Sequence, residues 1–179
     1  MTGVIGHIAN PTAEDAVALA VAAEQADARW IGFADAFWWR DVWMLLTAVA
    51  AATNRIEIGP AMTNGYLRHR FHTTSALATL HGLAPGRVFC GIAAGGSELT
   101  AAAGIDRKDA PEQAAGLAAA IRAVAEGEPL DQTSGRTLDV PLPPTPILMA
   151  GRGDRMLERA GRTADRVLLW AIPDGDLDR

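Results

Sequence analysis

The stretch from Arg87 to Ser97 constrains the fold more than any other part of this 179-residue chain. It reads RVFCGIAAGGS, an apolar run without alternating polar residues that leads into a glycine-rich turn. A strand with this pattern is buried on both faces, which is typical of a parallel sheet covered by helices. The turn predicts free backbone N–H groups beside a helix N-terminus, a place suited to a phosphate, a carboxylate or an oxyanion. A purely structural connection between strand and helix is the alternative that this stretch leaves open.

Apolar strands, short turns and amphipathic helices alternate through the rest of the sequence. Besides the stretch above, strands are predicted over 3–9, 30–34, 56–63, 147–150 and 166–172, and helices over 13–28, 41–53, 73–83, 97–104, 111–126 and 154–163. This alternation indicates a parallel α/β fold. Right-handed crossovers leave two architectures, an open doubly wound sheet or part of a (β/α)8 barrel. The first turn, Ala9-Asn10-Pro11, has no glycine, so the dinucleotide-binding fingerprint of the doubly wound fold is absent.

Composition and charge exclude several classes of function. Apolar residues make up 49% of the chain and charged residues 21%, which indicates a globular protein rather than a disordered one. The net charge of −5 and the lack of a basic tract argue against a nucleic-acid partner. The single cysteine, Cys90, excludes an internal disulfide, and no third ligand accompanies His69 and His72, so no metal site is predicted. No signal peptide or apolar stretch of membrane length is recognised, so we expect a cytoplasmic protein without a membrane partner.

Four segments of the chain are similar to one known family. They are DAFWWRD at 35–41, TNGYLRH at 63–69, GIAAGG at 91–96, and AGRG at 150–153 followed by RML at 155–157. Together they resemble the luciferase-like monooxygenase family, in particular the branch that uses the deazaflavin F420 and includes tetrahydromethanopterin reductase-like enzymes. The resemblance covers nearly the whole chain and implies a (β/α)8 barrel with a flavin or F420 across the carboxyl ends of its strands. Because such a barrel takes roughly 250 residues, we expect one domain over 1–179 that forms an incomplete (β/α)8 TIM barrel of about six βα units.

The resemblance also implies where a cofactor would lie. Asp35 and the loop after it would approach the isoalloxazine-type ring, and Thr63 and Asn64 would lie beside the ring at a bulge of the third strand. Two glycine-rich turns would hold the cofactor tail and its phosphate, and they comprise Gly95, Gly96 and Ser97 in the first and Ala150, Gly151, Arg152 and Gly153 in the second.

Strand ends and an aromatic loop supply the candidate catalytic and substrate-binding residues. Asp35 ends a predicted strand and is a candidate general acid or base, with a helix cap or turn as the alternative. His7 and His69 are further catalytic candidates, and a hydrogen-bonded core histidine and a solvated loop are their respective alternatives. The candidate substrate contacts, some of which would otherwise belong to the core, are Phe37, Trp39, Tyr66, Arg68, Thr63 and Asn64.

Departures from the family pattern favour a different chemistry. Ala36 stands where the F420 branch usually has a histidine, and Asp154 places a negative charge where a phosphate would bind. Together with the low number of barrel units, these departures favour a cofactor-independent cyclase or isomerase of the cycloaddition type. It would orient a bulky hydrophobic natural-product intermediate in a reactive shape. The intact glycine turns favour the alternative, an F420- or FMN-dependent oxidoreductase or monooxygenase, and a non-catalytic companion subunit is a third interpretation.

The outer strands of the expected barrel predict self-association. The sixth predicted strand is nearly all apolar, and in a barrel of about six units it and the first strand become hydrophobic edges. Such edges aggregate unless something covers them. We therefore expect a second copy of the chain to cover them in a homodimer.

Overall fold

Strands and helices alternate along the chain as the sequence predicts. The computed structural model describes residues 3–6 and 10–169, with side chains from residue 10 onward. The strands are β1 (Gly3–Gly6), β2 (Trp30–Phe33), β3 (Glu57–Pro60), β4 (Cys90–Ala93), β5 (Ile147–Gly151) and β6 (Arg166–Leu169). The helices are α1 (Ala13–Gln25), α2 (Val42–Ala52), α3 (Arg70–Leu83), α4 (Ser97–Ala102), α5 (Ala110–Ala125) and α6 (Asp154–Thr163).

All strand pairs between the described strands are parallel and follow chain order. Strands β1, β2 and β3 form one ladder, and β4, β5 and β6 form a second. Single bridges between Ile58 and Val88 and between Thr63 and Ile92 join β3 to β4. Neighbours in space are therefore neighbours in sequence, which is the order of a (β/α) barrel wall. A doubly wound sheet would reverse its strand order in the middle.

Several predicted boundaries shift for identifiable local reasons. Strand β3 stops at Pro60 rather than at residue 63, since proline has no backbone N–H to continue the ladder. Helix α3 begins at Arg70, earlier than predicted, because the His69 side chain accepts a hydrogen bond from the backbone of its first turn. Helix α1 ends at Gln25 and not at residue 28, since Asp27 takes a positive φ of 54° that a helix does not allow. The predicted residues 7–9 and 170–172 lie outside the described residues.

The buried side chain of His81 contacts the segment just before β5 and so connects that segment to helix α3. The residue is 6% exposed, and its Nε2 lies 2.8 Å from Thr145 Oγ1, two residues before β5 begins. Burial lowers the pKa of His81, so the fold favours the neutral imidazole.

The burial of His81 predicts a loss of stability in acid. The unfolded chain has the ordinary histidine pKa of about 6.5 and binds a proton there more readily than the folded chain does. The free energy of unfolding should therefore fall as the pH drops from about 6.5 towards the lowered pKa of the folded state. Urea unfolding of wild type and His81→Gln across this range checks the point, since the variant should depend less steeply on pH. Equal slopes in the two proteins would contradict it.

Candidate functional site

A cavity of about 910 Å³ opens at the carboxyl ends of the strands. The segments that follow β2, β3, β4 and β5 all contribute to its wall, as does Leu168 of β6. Small side chains form much of the lining: Ala34, Ala36, Ala61, Ala93, Ala94 and Ala150. The carboxyl edge of a parallel barrel wall is where barrel enzymes bind their ligands, so this cavity is the candidate active site.

Asp35 enters this cavity just beyond the end of β2. The Thr63 hydroxyl donates a hydrogen bond of 2.6 Å to its Oδ2, and its backbone N–H lies 3.4 Å from the carbonyl of Met62. Burial raises the pKa of Asp35, the hydrogen bond from Thr63 offsets part of that effect, and the negative charge of Asp41 raises the pKa further. The site therefore holds a carboxyl group that keeps its proton to a higher pH than an exposed aspartate does.

The two glycine turns follow β4 and β5. Gly95 has a φ of +74°, and a Cβ there would lie 3.2 Å from the Thr100 side chain. A Cβ at Gly151 would lie 2.6 Å from Cγ of Met156. Both positions therefore favour glycine, the first for its backbone angle and the second for lack of space.

Helix α6 presents its N-terminus to the cavity. Its N-cap residue is Gly153, which offers no side-chain acceptor to the first turn. Arg152 and Arg155 are exposed at the same helix start and line the cavity. The partial positive charge of the helix end and the two guanidinium groups favour an anion, while Asp154 opposes them with one negative charge.

Arg107 and Lys108 line the cavity from the loop before α5, and the sequence did not single them out as site residues. The Nε of Arg107 is buried and has no hydrogen-bond partner among the described residues. The Lys108 ammonium is exposed and pairs with Asp106 at 2.9 Å. Arg107 and Lys108 lie in a loop of mixed charge without a periodic pattern, so the sequence could not show that they line a cavity.

The aromatic loop after β2 supplies two cavity residues, Trp38 and Trp39. Trp39 was predicted as a substrate contact and does line the cavity. Phe37, the other aromatic prediction, is 54% exposed and packs edge-on against Trp38 at 4.9 Å instead. Trp38 was not among the predicted substrate contacts, yet it lines the cavity.

The remaining substrate candidates do not line the cavity. Thr63 and Asn64 are buried, Thr63 beneath Asp35, whereas the Asn64 carbonyl oxygen accepts the backbone N–H groups of Tyr66 and Leu67. The Tyr66 hydroxyl is buried without a hydrogen-bond partner among the described residues.

Arg68 and His69 make their contacts outside the cavity lining. Arg68 pairs with Asp41 at 3.3 Å. His69 is exposed, and its Nδ1 accepts the backbone N–H of Phe71 at 3.3 Å as a helix cap. Of the three predicted catalytic residues, the cavity includes Asp35 and not His69. His7 lies outside the described residues.

Two wider expectations concern membranes and metals. None of the helices in the described part of the chain is long and apolar enough to cross a bilayer. Among the described side chains, no group of three or more histidine, cysteine, aspartate or glutamate residues is placed to hold a metal ion.

The family profile of the luciferase-like monooxygenases matches residues 2–178 of the chain. This match, together with a barrel-type wall and a cavity at its carboxyl edge, shows that the chain belongs to the luciferase-like monooxygenase family, as the sequence motifs indicated.

Two curated proteins show what the chain is similar to within that family. The chain is 31% identical over 145 residues to a 5,10-methylenetetrahydromethanopterin reductase of Methanolobus tindarius, covering 78% of this chain and 44% of that protein. It is 33% identical over 135 residues to an F420-dependent glucose-6-phosphate dehydrogenase of Kineococcus radiotolerans, covering 69% of this chain and 40% of that protein.

A solved structure supports the fold. The coenzyme F420-dependent tetrahydromethanopterin reductase of Methanopyrus kandleri superposes with a TM-score of 0.77 at 22% identity, over 94% of this chain and 54% of that one. The chain therefore has the luciferase-like barrel fold and spans about half the length of the relatives that it matches.

Proposed function

We propose that this chain binds coenzyme F420 and takes part in F420-dependent hydride transfer as an oxidoreductase of the luciferase-like family. The observation that carries the proposal is the make-up of the cavity. Small apolar side chains surround Asp35 on the β2 side, and a basic helix start lies on the β5 side. A ligand with a flat ring at one end and a negatively charged tail at the other matches that distribution.

The described residues fit such a cofactor. The alanine-rich lining leaves room for a ring system, and Gly95 and Gly151 add no side chains of their own to the two turns that line the cavity. The first turn of α6, with Arg152 and Arg155, would hold the phosphate. When bound, the deazaflavin supplies the hydride acceptor or donor.

Asp35 would hold the proton that accompanies hydride transfer. Ala36 lines the cavity and has no titratable group, so the acid role moves to the carboxyl beside it. The Thr63 hydroxyl fixes the Asp35 side chain, and burial raises its pKa towards the range in which a general acid works.

The relatives support this proposal better than the cofactor-independent cyclase that the sequence favoured. Both curated relatives described above are reductases or dehydrogenases, and the glycine turns line the cavity as a cofactor site would need. Their names suggest a first substrate panel, methylenetetrahydromethanopterin and glucose 6-phosphate. The homodimer and the cytoplasmic location remain proposals alongside it.

Titration of the purified protein with F420 tests the proposal. We expect saturable quenching of F420 fluorescence, and Arg155→Ala should weaken the apparent affinity about tenfold because it removes a charged partner of the phosphate. Arg162→Ala is the matched control on the same helix, since Arg162 pairs with Glu158 at 2.7 Å and does not line the cavity. Its affinity should equal that of the wild type.

FMN titration in parallel separates the competing interpretations. Saturable binding of FMN without binding of F420 would contradict the F420 assignment in favour of the flavin alternative. Binding of neither would overturn the proposal and favour the cofactor-independent cyclase or a companion subunit.

A further inference from the structure

Two side-chain contacts link the segment that carries Asp35, between β2 and α2, to the loop between β3 and α3. The first link is the hydrogen bond from Thr63 Oγ1 to Asp35 Oδ2, at 2.6 Å. The second is the ion pair between Arg68 Nη1 and Asp41 Oδ2, at 3.3 Å. Asp35 and Asp41 belong to the segment between β2 and α2, where Asp41 caps the helix. Thr63 and Arg68 belong to the loop between β3 and α3.

Both charges of the second link are held in place by further contacts. Asp41 Oδ1 accepts the backbone N–H groups of Trp43 at 2.8 Å and Met44 at 3.3 Å, which caps α2. The Arg68 guanidinium carbon lies 5.4 Å from the Trp43 ring centroid, over its face. Neither Asp41 nor Arg68 lines the cavity. They would therefore act on a ligand there by electrostatic interaction at a distance and through the loops that they join.

We infer that the Asp41–Arg68 ion pair is a positioning element for Asp35. The pair joins the loop that carries Asp35 to the loop that carries Thr63, and its two opposite charges act on the Asp35 carboxyl. The inference rests on the proposed role of Asp35 as the acid of the site. Arg68, which was predicted from the sequence as a substrate contact, would then act from outside the cavity lining.

The local electrostatics agree with this geometry. The charge of Asp41 raises the pKa of Asp35 and the charge of Arg68 lowers it, so the pair contributes two effects of opposite sign. Cys90 faces Asp35 from β4, and burial together with the Asp35 charge raises the pKa of its thiol well above the ordinary range, so it stays neutral. The other charged groups that face the same cavity are Arg107, Lys108, Arg152, Asp154 and Arg155.

Two variants of the full chain, each removing one charge, test the inference. Asp41→Asn keeps an oxygen that can cap α2, and Arg68→Met keeps most of the stem that packs on Trp43. The Asp35 carboxyl is titrated by carbon-13 NMR without any cofactor, and Asp35→Asn assigns its signal. We expect the titration midpoint to move down in Asp41→Asn and up in Arg68→Met. Arg68→Lys retains the charge and should restore a midpoint close to that of the wild type.

A downward shift in Asp41→Asn together with an upward shift in Arg68→Met supports the inference, because a purely structural role would not reverse the direction between two members of one pair. The reverse pattern overturns it. Unchanged midpoints, or shifts in the same direction, overturn it. If Arg68→Met does not fold, Asp41→Asn decides alone: a downward shift supports the inference, and no shift or an upward one overturns it. F420 titration is separate, so opposite shifts without F420 binding would refute the proposed function and leave the role of the pair intact.

Discussion

Gly91→Ala is expected to lower the free energy of unfolding by about 3 kcal/mol or more, a large share of the stability of a small domain. Gly91 lies in β4, and a Cβ built there would come 2.2 Å from the carbonyl oxygen of Pro60 and 2.6 Å from the sulfur of Met62. The Pro60 oxygen belongs to the backbone at the end of β3, so it cannot turn aside as a side chain would. The strands would have to separate at the place where β3 meets β4.

The same substitution should also disturb the candidate site. The backbone N–H of Thr63 donates to the carbonyl of Gly91 at 2.9 Å, and Thr63 in turn holds Asp35. Urea unfolding gives the stability and F420 titration the effect on binding. We expect both to fall together.

Gly116→Ala is the matched control for this prediction. Gly116 lies exposed in the interior of α5, and nothing lies within 4 Å of a Cβ built there. Alanine should raise the free energy of unfolding by about 0.5–1 kcal/mol, because it has the better helix propensity. A Gly91→Ala protein that unfolds at the wild-type urea concentration would show that the strands are not in close contact here.

Hydrophobic periodicity and turn residues were enough to predict a parallel α/β fold from the sequence, and the family resemblance added the incomplete barrel. Buried strands leave a run without polar alternation, and the capping pair Thr12 and Asp15 marks the start of α1 where the sequence indicated. Asp35 could be picked out because it follows a strand, and the carboxyl ends of parallel strands meet at one edge.

Other parts of the site depend on side-chain directions that no pattern encodes. The loop after β2 has no repeating period, so the sequence could not tell that Trp38, itself 48% exposed, lines the cavity while the neighbouring Phe37 does not. His69 was a catalytic candidate because it lies close to His72 and Arg68 in the sequence after β3. Its Nδ1 instead caps α3, which depends on backbone geometry at a helix start.

Asp35→Asn is expected to lower the turnover number about 10²- to 10⁴-fold while leaving F420 affinity near the wild-type value. Asparagine keeps an oxygen that can accept the hydrogen bond from Thr63, so the side chain stays in place, but it cannot hold or release the proton. Burial raises the pKa of Asp35. If the protonated form is the acid, the rate of the wild type falls as the pH rises through that raised pKa, and the variant loses this limb of the profile.

The measurement follows the absorbance of F420 during turnover as a function of pH, with whichever member of the substrate panel supports the reaction. Asp139→Asn, an exposed carboxylate in the irregular segment before β5, is the control and should keep both the rate and the profile. An Asp35→Asn enzyme with the wild-type turnover number would place the acid elsewhere. Because Ala36 has no titratable side chain and Asp154 lies at the start of α6, the described cavity offers no other carboxyl group on the β2 side to take over that role.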